Sequence, residues 1–367
     1  MDLIQKSKET MSAKERVRKT FQFEKTDRVT IGYDTNPVAN RNLCSMLGIK
    51  ENDYITLLKT LGVDYMGAGA PYIGPKLYED IKDRIRSPEN GSVMRYIENK
   101  YGAYWDFCDF PLKGADDETI YNYPFPNPDD YDYEAADNNI NYIMNEGFAV
   151  HIGNPGVGDI LNTTGMFMGV EDTLVNLATG NEATIHMLDK RLNATLVVLE
   201  RTLERNKGKI DFMWLGEDLG TQHNQIISTK MYREILRPRH QKFIDLAKVY
   251  NLPVLIHTCG SSSWVYEDFL EMGMNGVDTL QPEATNMSPQ YLKEHFGGRL
   301  NFRGCISTAG PLAYGTAKET EEVCKKTLEI MMECKGYHFA PTHAIQDNTP
   351  AENTIAMYNA AHKYGLY

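Results

Sequence analysis

The stretch "PVLIHTCGSSS", residues 253–263, sets His257 and Cys259 two positions apart behind an apolar run. In a strand such residues share a face, so Leu255, His257 and Cys259 point one way and Val254, Ile256 and Thr258 the other. An imidazole beside a thiolate suits zinc, which takes nitrogen at roughly 2.0 Å and sulfur at roughly 2.3 Å in a tetrahedron. Two ligands are too few. The natural third is His343, which closes "GYHFAPTH" at residues 336–343. His, Cys and His leave one position open, the arrangement of a catalytic site. Glu217, in "FMWLGEDLG", is a candidate fourth ligand displaced by substrate, or a general base; Cys305, in "RGCIS", is a competing thiolate. By itself an H-x-C is weak, because cysteine is often buried and a buried histidine is usually a hydrogen-bonded core residue. His151 and His338, in similar runs, show how readily such histidines occur. His186 and His240 fall in helical segments, where exposure to solvent is expected.

These residues need strands that converge. From residue 149 a short apolar run ending in polar residues alternates with a helical stretch: runs begin at 149, 212, 253, 276, 300 and 336, and two earlier ones cover 28–34 and 65–72. Strands alternating with helices imply parallel pairing, since parallel neighbours need a crossover. Eight such units predict an α/β protein that is one (β/α)8 TIM barrel spanning residues 1–367, with site residues at the carboxyl ends of its strands. A doubly wound open sheet is the alternative, but no G-x-G-x-x-G follows the first strand. Ser288, Pro289 and Gly297 bound one helix, and Thr349 with Glu352 predicts a capping box for the last, which closes at Gly365. Residues 73–148 break the rhythm: "SVMRYIENKYGAYWDFCDFPLK" reads as a hairpin turning at Gly102, within an insertion over the barrel mouth that either shapes a substrate pocket or merely decorates the surface.

Composition narrows the classes. A formal charge of −12 disfavours nucleic acid, whose phosphates are held by clustered Lys and Arg. No run approaches the roughly 18 apolar residues of a membrane span, and the charged amino terminus lacks a secretory signal's apolar segment, so the expectation is a cytoplasmic protein. The six cysteines have no C-x-x-C pairing, which predicts buried free thiols.

The segments "GEDLGTQ", "ISTKMYREILRPRHQKFIDLAK", "LIHTCGS", "VDTLQPEATNMSPQYLKEHFGGRLNFRGCIST" and "YHFAPTHAIQDNTPAENTIAMYNAA" closely resemble the uroporphyrinogen decarboxylase-like superfamily, in particular its zinc-dependent corrinoid (cobalamin) methyltransferases. The resemblance is densest from residue 212 onward. It implies a TIM barrel, zinc on His257, Cys259 and His343, and methyl transfer between a small methylated compound and a corrinoid held by a partner protein, in either direction. Better-known thiol methyltransferases of this branch carry Cys at the position of His343. A neutral imidazole there makes the site less anionic, which leans toward an ether oxygen and O-demethylation of a methoxylated, aromatic donor. Glu217 or Asp218 would orient the substrate, and Tyr33, Asn154 and Gln281, at other strand ends, would line its pocket. Barrels of this family often pair, so a homodimer is expected. Decarboxylation of a tetrapyrrole or other carboxylate ranks lower, because "RVTIGYDTNPVANRN" lacks the Arg-rich R-Q-A-G-R motif and Arg303 alone cannot replace it. A third reading, a barrel that only binds a tetrapyrrole or corrinoid protein without chemistry, differs in function class.

Overall fold

The computed structural model describes residues 3–367; Met1 and Asp2, which begin the charged amino terminus, lie outside them. All eight apolar runs form strands of one parallel sheet: β1 (Thr30–Ile31), β2 (Tyr65–Ala68), β3 (Ala149–Gly153), β4 (Phe212–Gly216), β5 (Val254–His257), β6 (Gly276–Asp278), β7 (Asn301–Ile306) and β8 (Tyr337–Pro341). Their spatial order is β1-β8-β7-β6-β5-β4-β3-β2. The end strands meet, because Asp64 N donates to Ile31 O at 2.9 Å and the Asp64 carboxylate accepts from Ile31 N at 2.7 Å. The sheet is thus a (β/α)8 barrel.

The alternation expected of β5 holds. Val254 and Ile256 join the layer between strands and helices, whereas Leu255 packs inside the barrel with Tyr65, Phe212 and Trp214. Each such fully buried aliphatic side chain contributes about 1.5–3 kcal/mol. The helix Ala13–Phe21, capped by Ser12, closes the floor with Val17 and Phe21; the Phe21 and Phe212 rings lie 5.3 Å apart.

Beyond β2 the chain forms a three-stranded sheet from Ile85–Arg86, Val93–Asn99 and Gly102–Cys108. Asn99 Oδ1 accepts from the Tyr101 and Gly102 amides and its Nδ2 donates to Asp347 at 3.0 Å, so the hairpin tip is tied to the loop after β8. The span 73–148 is not all insertion: the helix Tyr133–Asn145 packs on β2, β3 and the helix Glu182–Arg205, and is the crossover between β2 and β3. Ser288 and Pro289 begin the helix Pro289–Phe296 as expected. The capping box at Thr349 does not form. The last helix starts one residue later, at Ala351, with Pro350 in the cap position, and Thr349 Oγ1 is buried without a partner. Among the described residues no helix is long and apolar enough to cross a membrane.

Candidate metal centre

β5 ends at His257, in register with Gly216 of β4 and Asp278 of β6. Cys259 follows in the loop, where Gly260 takes a left-handed φ of 70°. A Cβ on Gly260 would lie 2.2 Å from Gly220 O, so only glycine lets the loops after β4 and β5 touch there. Asp218, from the β4 loop, uses that closeness: its Oδ1 accepts from Cys259 N at 2.8 Å, and its Oδ2 accepts from Asn162 at 2.8 Å. His343 sits exposed in the turn after β8, its ring centroid 5.9 Å from that of His257.

Among the described residues, His257, Cys259 and His343 form the one group of three such side chains whose ligand atoms converge, all within 4.8 Å of one another. Cys259 Sγ lies 3.4 Å from His257 Nε2. Tetrahedral zinc bond lengths place neighbouring nitrogen and sulfur ligands roughly 3.5 Å apart, and the donor set, two imidazoles and a thiol, fits zinc.

The far side of His257 is held as a ligand requires. Its Nδ1 lies 3.0 Å from Asp278 Oδ2 and 2.6 Å from Thr279 Oγ1. A carboxylate only accepts, so in the neutral ring Nδ1 carries the proton and Nε2 faces Cys259. Asp278 Oδ1 accepts from Arg303 Nη1 at 2.7 Å, while Arg303 Nη2 pairs with Asp34 and its Nε donates to Tyr65 at 2.6 Å. Burial alone would raise the Asp278 pKa, but the Arg303 charge and the His257 hydrogen bond hold it below the usual carboxylate range. Burial alone would lower the His257 pKa, yet Asp278, joined by the charge of Asp218, holds it above its ordinary value. Burial, with the charges of Asp218 and Asp278, pushes the Cys259 thiol far up; a coordinated cation deprotonates such a thiol outright.

The other expected residues are dispersed. Gln281 lines a cavity of about 170 Å³ with Cys259, Thr279, Ser307, Thr342 and His343. Asp218 Oδ1 is 3.9 Å from His257 Nε2. Glu217 faces the opposite way, as strand parity demands: wholly buried, it accepts from Ile160 N at 2.8 Å and Leu161 N at 3.0 Å and meets His240 Nε2 at 3.2 Å. His240 is therefore buried rather than solvated, and His186 is half-buried, stacked on Tyr121. Tyr33 lies outside the strand layer, its hydroxyl donating to Asn40 at 2.9 Å and its ring between Tyr54 and Tyr358, so it does not line the pocket. Asn154 lines a different cavity, of about 620 Å³. Cys305 is buried in the core with Tyr337 and Cys334 and takes no part in the cluster. All six cysteines are free, and five are buried.

Asp278, Thr279, Arg303 and Asp34 were not among the candidates. The available signal was a charge ending an apolar run, Asp278 in "GVDTLQPE", on a strand neighbouring β5. Thr279 is also strained: a β-branched residue at φ 64° is rare and marks a position fixed by its surroundings.

Residues 165–364 match the family model described as Uroporphyrinogen decarboxylase (URO-D), which spans more than half of the chain. No curated protein sequence matches. Among solved structures, a methyltransferase from Methanosarcina mazei superposes with a TM-score of 0.66 at 16% identity, over 96% of this chain and 98% of that one; at such identity the likeness speaks to the fold. Xylanase B from Clostridium stercorarium F9 aligns at a TM-score of 0.35 and 12% identity over 58% of this chain and 73% of its own. The endo-1,4-beta-xylanase XylE of Penicillium canescens aligns at 0.39 and 9% over 68% and 86%.

Proposed function

The chain belongs to the uroporphyrinogen decarboxylase family, and from that premise we propose that it is a zinc-dependent methyltransferase of a corrinoid system, acting between a small methoxylated compound and a corrinoid protein. The observation that carries this reading is the convergence of His257, Cys259 and His343 at the carboxyl ends of β5 and β8, where barrel enzymes build their sites. Zinc bound by these three would supply Lewis acidity to the heteroatom that carries the methyl group. The chain's own residues do the rest. Asp278 fixes the His257 ring and its tautomer, and Arg303 keeps Asp278 ionised. Asp218 holds the Cys259 backbone and is the carboxylate on the Nε2 side of His257, suited to orienting a substrate. Gln281, Ser307 and Thr342 offer neutral hydrogen-bonding groups in the adjoining cavity. Glu217, committed to two amides and His240, drops out of the catalytic set.

With one thiolate and two neutral imidazoles, the donor set carries less negative charge than a two-thiolate site, which favours an ether oxygen over a thiol. The test is metal analysis combined with methyl transfer. Purified protein is expected to carry one zinc per chain, to lose it in Cys259→Ala and His257→Ala, and with it to lose transfer from a methoxylated donor to a Co(I) corrinoid protein. Correctly folded protein that binds no zinc when supplied with it overturns the reading.

A further inference from the structure

The larger cavity, about 620 Å³, shares no lining residue with the one at the metal cluster. One wall is a single face of the helix Glu182–Arg205, since Arg191, Ala194, Thr195, Val198, Leu199 and Thr202 recur at helical spacing. The facing walls are the ends of β2 and β3 and the inserted segment, with Phe125, Tyr131, Val157 and Met166 giving it an apolar, partly aromatic lining. Asn90, Asn139 and Asn154 add neutral polar groups.

Arg191 is the anomaly in that wall. It is only 9% exposed, yet its one hydrogen bond runs from Nη2 to the carbonyl of Asp159. Its Nε is buried with no partner, and it makes no ion pair among the described residues. A guanidinium has five donors and keeps its proton in a protein interior, and a buried cation without a counter-charge is costly. The nearest acids do not offset it. Burial, with the charge of Glu217 beside it, pushes Asp159 up to about 8, and burial pushes Glu217 up to about 8 against the two amides it accepts. Burial thus disfavours the ionised form of both, and neither forms an ion pair with Arg191 among the described residues. Glu89, the acid on the cavity wall, is exposed to solvent and makes no ion pair with Arg191.

We propose that this cavity is a binding site for a small aromatic carboxylate, whose carboxylate is received by Arg191 and whose ring lies against Phe125, Tyr131 and Met166. The guanidinium fork matches a planar carboxylate in two parallel hydrogen bonds, and the apolar lining takes the ring. The site does not depend on the metal reading, and its test is run with and without the metal ligands.

The probe is 4-methoxybenzoate, compared with its neutral isostere 4-methoxybenzamide by titration calorimetry on the full chain. The carboxylate is expected to bind at least about tenfold more tightly than the amide, as a charged hydrogen-bonding pair implies. Arg191→Met is expected to abolish that difference, Arg191→Lys to retain part of it, and Ala194→Trp, which fills the cavity, to remove binding of both. Cys259→Ala is expected to keep the parent's discrimination between acid and amide, so loss of zinc and loss of this site separate. Equal binding of acid and amide by the parent protein, or undiminished discrimination in Arg191→Met, overturns the proposal. Should Arg191→Met not fold, the acid-to-amide ratio of the parent and the Ala194→Trp result still decide it.

Discussion

Asp278 never enters the cluster of candidate ligands, yet it governs their geometry. One oxygen faces His257 Nδ1 and the other accepts from Arg303, so a single carboxylate orients the ligand and is itself held in place. Asp278→Asn keeps the shape but removes the charge and turns an amide toward Arg303. Zinc affinity is expected to fall by roughly 10–100-fold, as for other carboxylates behind a histidine ligand, measured by competition with a chromophoric chelator; undiminished affinity would mean that Asp278 only packs. The convergence of the candidate ligands was legible in the sequence because positions two apart on a strand share a side, which put His257 and Cys259 together. The same parity separates Glu217 from Asp218, and only the second faces the mouth. Asp278 and Arg303 stayed hidden because polar residues lining a barrel interior look, in sequence, like ordinary strand ends.

Among the elements, the weakest join is between β1 and β2. β1 is two residues long, and the closure there rests on Asp64, which accepts from Ile31 N, from Arg16 Nη1 at 2.5 Å and from Arg28 Nη1 at 2.7 Å. Asp64, Arg16 and Arg28 are each only 1% exposed. Removing one partner of a buried ionic group leaves the others uncompensated, so Asp64→Ala is expected to cost about 3–5 kcal/mol. Urea denaturation would reveal a loss below 1 kcal/mol, in which case the seam is held by backbone alone. The eight strands were readable because parallel strands buried on both sides appear as apolar runs. Tyr33 was misjudged on the same parity: it faces outward with Ile31, whereas Gly32 and Asp34 face the interior, against Tyr65 and Arg303.

For the whole molecule, four buried histidines other than His257 stand in surroundings hostile to the protonated ring. Burial lowers His151 and His338 to about 3, helped by the Arg303 charge, and lowers His240 and His362 to about 4. An unfolded chain takes up these protons below about pH 6.5, whereas the folded one refuses them until about pH 3–4, so their contribution to stability falls as pH drops through that window, by up to about 1.4 kcal/mol per pH unit for each histidine. Asp159 and Glu217, raised by burial, act with the opposite sign, so one histidine is best read by difference. His338 has no hydrogen-bond partner on either ring nitrogen and packs 4.8 Å from Phe21. His338→Phe is expected to be no less stable at pH 7 and to lose stability less steeply between pH 6 and 4, by about one proton's slope, in urea titrations across that range. An unchanged slope would show that His338 titrates normally. The helix that carries Phe21 has one more consequence. With the base of the barrel stoppered, the vessel has a single doorway, and whatever reaches the rings of His257 and His343 must depart by the route it came. On the methyl-transfer reading proposed above, donor and acceptor would have to share that one doorway.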